Sequence, residues 1–348
     1  MSVHALVIVS LVSAAASAVL VAAVRRFALR RALLDRPTDR SSHAIAKPRL
    51  GGVGVVTPVL AVGAGLVAAG RAPASLLVPL GATALVALLG LADDLRPLPA
   101  RVRFGVQVAL ASVAVAASWH RLPAAAGALG AWLPAPLLAA LAVLWIVWLT
   151  NLYNFMDGID GLAGAQALIA SLGLAAVAAG LGAGTTTWLL LALAGSSLGF
   201  LFFNFPPSSI FLGDVGSTAI GFFFGVLPLL PEARPVPVEP VVLALSLFVL
   251  DATVTLLRRA ASGEKWYTPH RTHLYQRPVV LGSGHRAVLL VASGAMGVAS
   301  GCAVAWVRVP GAARFALVAV PVALFIAGGV AVGRLERRVK FGAYRRTG

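Results

Sequence analysis

Acidic residues are scarce in this chain, which has 12 Asp and Glu against 28 Lys and Arg in 348 residues. Charged residues of either sign make up only 11%, too few to cover the surface of a soluble domain of this size. The single cysteine, Cys302, excludes an intrachain disulfide, and its place in an apolar run points to helix packing. No G-x-x-x-x-G-K-[ST], H-E-x-x-H or G-x-S-x-G stretch is present. That removes the common ATPase, zinc-protease and serine-hydrolase readings. Repeats and low-complexity tracts are missing as well, and PEARPVPVEP (231–240) is the one Pro-rich connector.

What remains is apolar: 59% of residues are hydrophobic and the mean hydropathy is +0.91. Runs close to the length of a bilayer-spanning helix fall at 4–24, 51–70, 75–92, 104–119, 132–150, 162–182, 186–203, 216–230, 239–257, 286–307 and 314–333. They predict an all-α, polytopic integral membrane bundle of about eleven transmembrane helices, one domain spanning 1–348. Lys and Arg number eight in 25–49, three in 96–103, six in 258–286 and six in 334–346, against five in the alternate loops. This asymmetry predicts an N-terminus outside and a C-terminus in the cytoplasm. The first run has no basic residues before it, and Arg25-Arg26 follow it, so it reads as a retained helix rather than a cleaved leader. A net charge of +16 held in juxtamembrane loops faces anionic membrane lipids, and no nucleic-acid partner is expected.

Four polar stretches interrupt the apolar chain, and all fall on the predicted cytoplasmic side. LLGLADDLRP (88–97) ends the third run with Asp93-Asp94. Adjacent carboxylates at a helix C-terminus repel each other and oppose the helix dipole, so something positive must compensate: a divalent cation, or Arg96, Arg101 and Arg103 nearby. In NLYNFMDGIDGL (151–162), Asn151, Asn154, Asp157 and Asp160 step by three. Neighbouring pairs share a helix face, but all four share one only if Gly158 and Gly161 bend the chain. Their oxygens are hard ligands suited to Mg²⁺, and D-G-x-D-G also fits a plain turn. FLGDVGS (211–217) sets Asp214 between glycines just before an apolar run, where it can cap the helix or leave free amides for phosphate. The basic stretch RRAASGEKWYTPHRTHLYQR (258–277) suits phosphate contact through its histidines and arginines, and equally suits a positive-inside loop anchored by aromatics.

In this order the four stretches resemble the polyprenyl-phosphate N-acetylhexosamine-1-phosphate transferases, glycosyltransferase family 4. The motifs cover about residues 35–277. The resemblance implies a Mg²⁺-dependent enzyme, with Mn²⁺ as a substitute, in the bacterial inner membrane. It would move a sugar 1-phosphate from a UDP-N-acetyl sugar to undecaprenyl phosphate and release UMP, starting O-antigen or another cell-envelope glycan. By motif position, Asp93, Asp94, Asp157, Asp160 and His273 look catalytic, and Asn154 and Asp214 look like the metal ligands. Asn151, His270 and Arg271, with His43, Lys47 and Arg49 of RSSHAIAKPRLGG (40–52), look like substrate contacts. A homodimer is left open. The chain departs from the family in having His273-Leu274-Tyr275 in place of a His-x-His pair or a triple-histidine run, which leaves the donor sugar open. The alternative class is a secondary transporter or ion carrier using boundary aspartates. Asp251, inside the ninth run, suits that reading best.

Overall fold

A computed structural model describes residues 3–35, 46–264 and 271–347, with side chains to residue 339. The chain is almost entirely helical. Each of the eleven apolar runs is helix, but they differ in reach. Eight helices are long and apolar enough to cross a membrane, and a ninth is reached if one bent pair counts as a single span. Two more, Gly52–Ala68 and Asp214–Val226, are shorter apolar helices. The chain is a multi-pass helical membrane protein.

Helix α1 (Val3–Arg30) leads to a short antiparallel pair, β1 (Leu34–Asp35) and β2 (Lys47–Pro48). Helices α2 (Gly52–Ala68), α3 (Leu77–Leu95) and α4 (Ala100–Ala117) follow. A one-turn helix, α5 (Leu122–Ala125), precedes α6 (Ala135–Phe155), whose Pro134 and Pro136 suit a helix start because their missing amides have no partner there. Helix α7 (Leu162–Leu181) ends at Gly182, φ 76°, with the amides of Gly182 and Ala183 turned back onto Ala179 and Ala178. Helix α8 (Gly184–Asn204) stops before Pro206-Pro207, and α9 (Asp214–Val226) begins after Gly213.

Helices α10 (Val238–Ala244) and α11 (Ser246–Ala261) meet at 77°, so the single span read over 239–257 is broken at Leu245. The chain closes with α12 (Gln276–Val280), α13 (His285–Trp306) and α14 (Arg314–Thr347).

Helices α7 and α8 form the centre and are the most buried spans, while α14, α4 and α1 present most of their surface outward. Outward Leu and Val on those helices belong to the lipid face. Close packing at the centre depends on small residues. A Cβ on Gly195 or Gly199 of α8 would run into the backbone carbonyls of Ser10 and Ala14 in α1, the small-x-x-x-small contact expected between spans. Ser17 donates to the Ser196 carbonyl across the same seam at 2.7 Å. Tyr153, Phe224 and Phe248 pack α6, α9 and α11 together, with Tyr153 and Phe248 ring centroids 5.2 Å apart. Cys302 is buried and free, as a packing role requires. This frame brings the C-terminal ends of α3, α6 and α8 to one end of the bundle, with the start of α9 and the 46–50 segment among them.

Candidate functional site

The acidic pair at the end of α3 finds its compensation in another helix. Asp94 accepts hydrogen bonds from the amides of Asp214 (3.1 Å) and Val215 (3.0 Å), the first two residues of α9. Its side chain has no exposed surface. The carboxylate at the negative end of α3 therefore sits at the positive end of α9. The sequence suggests that Asp214 caps its own helix, but the cap comes from Asp94, 120 residues away. The reason is Gly213, whose φ 75° and ψ 171° turn the Asp214 side chain toward α4 and α6.

That conformation is open almost only to glycine and costs other residues about 1–3 kcal/mol. A Cβ at Gly213 would also lie 2.6 Å from Asp94 Oδ2. Gly213→Ala is expected to lower the unfolding midpoint of the detergent-solubilised protein by several degrees, a loss of about 1–3 kcal/mol. An unchanged midpoint would show that the turn tolerates a side chain.

Asp214 is shared between two helices. Its Oδ1 accepts from Asn154 Nδ2 at 2.9 Å and its Oδ2 from Arg103 Nη1 at 3.0 Å. The same Arg103 nitrogen lies 2.6 Å from Asp93 Oδ2, while Asp93 Oδ1 accepts from the Leu98 amide. Of the three arginines offered as compensating charge, Arg103 is the one that bridges Asp93 and Asp214. Arg49 reaches Asp94 at 3.8 Å and Asp35 at 3.5 Å.

Asn154 Nδ2 also donates to Ser217 Oγ at 2.9 Å, which commits the amide nitrogen and leaves its oxygen as the ligand atom. Asn151, one turn earlier on α6, donates to Gln107 Oε1 at 2.7 Å and to the Val147 carbonyl. It joins α6 to α4 beside the carboxylates.

Helix α6 stops at Phe155, so the three-residue step does not continue on one face. Asp157 lies in the turn that follows, and burial, then the carboxylates of Asp214, Asp94 and Asp160, push its carboxyl well above the usual range. Asp160 faces another way. Burial works to raise it, but contacts with His285, Ser208 and Lys47 outweigh that and hold it well below the usual carboxylate range. Ser208 gives it both an amide (3.0 Å) and a hydroxyl (2.7 Å), and Lys47 Nζ is 3.4 Å away. Lys47 also donates to Ser208 Oγ and lies over the Phe211 ring. Two acids three residues apart thus have opposite surroundings: one among negative charges, one among cations and donors.

The structure therefore brings together Asp93, Asp94, Asn154, Asp157 and Asp214, with Arg49, Asn151 and Arg103 around them. Asp160 and Lys47 form the adjoining group. His273 is buried, with Nδ1 3.3 Å from Asp251 Oδ1 and its ring stacked on Tyr275. Arg271 is half-buried at the start of the same segment. His43 and His270 lie outside the described residues. Asp251, the residue best suited to a transport path, accepts from the Leu274 and Tyr275 amides and from Thr255. Gln107, Ser208 and His285 escaped the sequence reading. Ser208 follows Pro206-Pro207 and His285 opens α13, and single polar residues in such places carry no spacing signal.

Among the described residues, no three of His, Cys, Asp and Glu form a metal cage by themselves. Mg²⁺ is usually held by one or two carboxylates together with substrate phosphates, not by protein alone. The donor set fits that pattern. It is made of hard oxygens, with the Asp214 carboxylate and the Asn154 side-chain amide side by side.

Comparison with known proteins bears on the same residues. A model of glycosyl transferase family 4 matches residues 76–231, from the start of α3 to just beyond α9. An undecaprenyl-phosphate N-acetylglucosaminyl 1-phosphate transferase of Bacillus subtilis is 30% identical over 77% of this chain and 75% of its own length. A decaprenyl-phosphate N-acetylglucosaminephosphotransferase of Mycolicibacterium smegmatis is 31% identical over 77% of this chain and 74% of its own. A phospho-N-acetylmuramoyl-pentapeptide-transferase of Rhodopseudomonas palustris shares 40% identity over a shorter stretch of 82 residues. The matched region holds Asp93, Asp94, Asn154, Asp157 and Asp214 alike, and on that identity and coverage the chain belongs to glycosyl transferase family 4.

Proposed function

We propose that the protein transfers an N-acetylhexosamine 1-phosphate from a UDP-sugar to undecaprenyl phosphate, giving the lipid-diphosphate sugar and UMP. The reaction would start O-antigen or another cell-envelope glycan. The observation that carries this reading is the sharing of Asp214 between Asn154 of α6 and Arg103 of α4, with Asp94 of α3 holding the backbone beneath it. Side chains from four separate helices meet at one end of the bundle, three of them bringing oxygens and α4 the Arg103 guanidinium. A membrane enzyme that joins a soluble donor to a lipid acceptor needs its site at that level. The Lys and Arg asymmetry supports placing this end on the cytoplasmic side, with eleven spans in one catalytic domain.

In the reaction the acceptor phosphate oxygen bonds to the sugar-bearing phosphorus as the bond from that phosphorus to the bridging oxygen breaks, and UMP leaves with that oxygen. Phosphoryl transfer depends chiefly on alignment and on neutralising charge. A phosphate monoester with a second pKa of about 6 is mostly dianionic at neutral pH, so a strong base is not required. Asp214 and Asn154 would hold Mg²⁺, which when bound supplies positive charge to the diphosphate. Arg103 and Arg49 hold the carboxylates in register and add charge beside the phosphates. Asp93 would border the acceptor and take up a residual proton, while Asp94, with no exposed side-chain surface and both oxygens on α9 amides, acts by holding the start of that helix. Asp157 would serve as a further acid of the site beside these residues. Lys47 and Arg271 border the donor.

The test is direct. Membranes containing the protein, incubated with radiolabelled UDP-N-acetyl sugars, undecaprenyl phosphate and Mg²⁺, are expected to yield labelled lipid with at least one sugar and to release UMP. No labelled lipid with any donor would overturn the reading.

A further inference from the structure

Asp251 lies inside α11, is 4% exposed, and has no part in the transfer step above. Its carboxylate closes onto a turn more than twenty residues further along the chain. Oδ1 accepts from the Leu274 amide at 2.8 Å and from the Thr255 hydroxyl at 3.0 Å, and Oδ2 accepts from the Tyr275 amide at 3.1 Å. His273 Nδ1 also lies 3.3 Å from Oδ1. Burying a carboxylate is costly unless its oxygens are satisfied. Here they are, and the whole set fixes residues 273–275.

What that turn carries is Tyr275. Its hydroxyl donates to the Phe155 carbonyl at 3.0 Å, one of the carbonyls left without a partner where α6 ends. The stacked His273 ring supports the Tyr275 ring from the side, with centroids 5.8 Å apart. The hydroxyl and the Gln276 amide also fill the space over Gly158, where a Cβ would collide with both. Phe155 and Gly158 flank Asp157. We infer that Asp251 is a positioning residue: by capping the 273–275 turn it seats Tyr275 against Phe155 and Gly158, and so sets where Asp157 stands among the site carboxylates. The inference rests on the transfer reading, because Asp157 matters here as a residue of that site.

The test uses the full-length purified protein, with the donor found in the labelling experiment, and two mild variants. Asp251→Asn keeps the shape and one acceptor, and Tyr275→Phe removes one hydroxyl. A group displaced by about 1 Å costs up to about 100-fold in rate. Asp251→Asn is therefore expected to lower kcat about 10- to 100-fold with KM for both substrates within about threefold. Tyr275→Phe should lower kcat by a smaller factor in the same way. The double variant should be no slower than Asp251→Asn alone, since both break one chain of contacts.

Hydrogen exchange, which needs no activity, should quicken at 155–158 in both single variants as well as at 273–276 in Asp251→Asn. Unchanged kcat, rate losses that multiply, or faster exchange confined to 273–276 would overturn the inference. If the wild-type protein makes no product, the transfer reading fails by itself, and exchange at 155–158 alone decides whether Asp251 holds that turn.

Discussion

Asp214→Ala is expected to lower the transfer rate by about 10³-fold, with little loss of stability. Among the described residues, Asp214 is the one carboxylate in contact with both the Asn154 amide and the Arg103 guanidinium. Preorganised charge at the place where transition-state charge develops is worth about 10²–10³ in rate per group removed. Here the same deletion also removes a metal ligand, which places the effect at the upper end. The backbone beneath is held by Asp94 through amides that the substitution leaves in place, so α9 should stay capped. The measurement is initial rate over a wide range of Mg²⁺, with thermal unfolding as the control for folding. Excess Mg²⁺ should not restore the rate. Full activity of Asp214→Ala in excess Mg²⁺ would remove the metal assignment.

Asp94→Ala should behave differently, losing stability and rate together. Its side chain is fully buried, and its two oxygens satisfy two amides at the start of α9. Losing a helix cap costs about 0.5–2 kcal/mol, and the loss reaches about 1–3 kcal/mol where the freed amide stays buried without an acceptor. The unfolding midpoint should fall well below that of Asp214→Ala. The rate should fall by about 10²-fold, because a loosened α9 start moves Asp214 away from Asn154 and Arg103. Asp94→Asn keeps one acceptor oxygen and should recover part of the stability. If Asp94→Ala matched the wild-type midpoint, the cap would be ornamental and the explanation for the buried acidic pair would fail.

The contrast between these two aspartates shows what could be read from the sequence. The apolar runs declared themselves because a bilayer sets a length and excludes charge. The acids declared themselves because there are so few, and the three-residue step through Asn151, Asn154, Asp157 and Asp160 was visible in the spacing. Gly158 and Gly161 offered a bend as the condition for all four to share a face; the structure instead ends α6 at Phe155 and turns Asp160 to Ser208 and Lys47. The partner of each acid was not legible. Asp94 caps a helix 120 residues away, a fact of tertiary packing with no local trace. Arg103 was one of three equivalent arginines until α4 gave it a direction.

The break in α10–α11 was illegible for a different reason. Leu245-Ser246 interrupts the helix with no Pro or Gly at the joint, so hydropathy read one span through it. That break lies six residues before Asp251, which sequence could only describe as an acid inside a membrane helix. Its hydrogen bonds to the Leu274 and Tyr275 amides give it a structural partner in place of a transport path.

The claim on which the account rests is that Asp214 and Asn154 bind a divalent ion together with the donor. Mn²⁺ binding to the purified protein, followed by electron paramagnetic resonance in the presence of the UDP-sugar, tests it without relying on turnover. Wild-type protein should hold a single tightly bound Mn²⁺ per chain, and that signal should be lost in Asp214→Ala. Equal Mn²⁺ affinity in the two proteins would contradict the account.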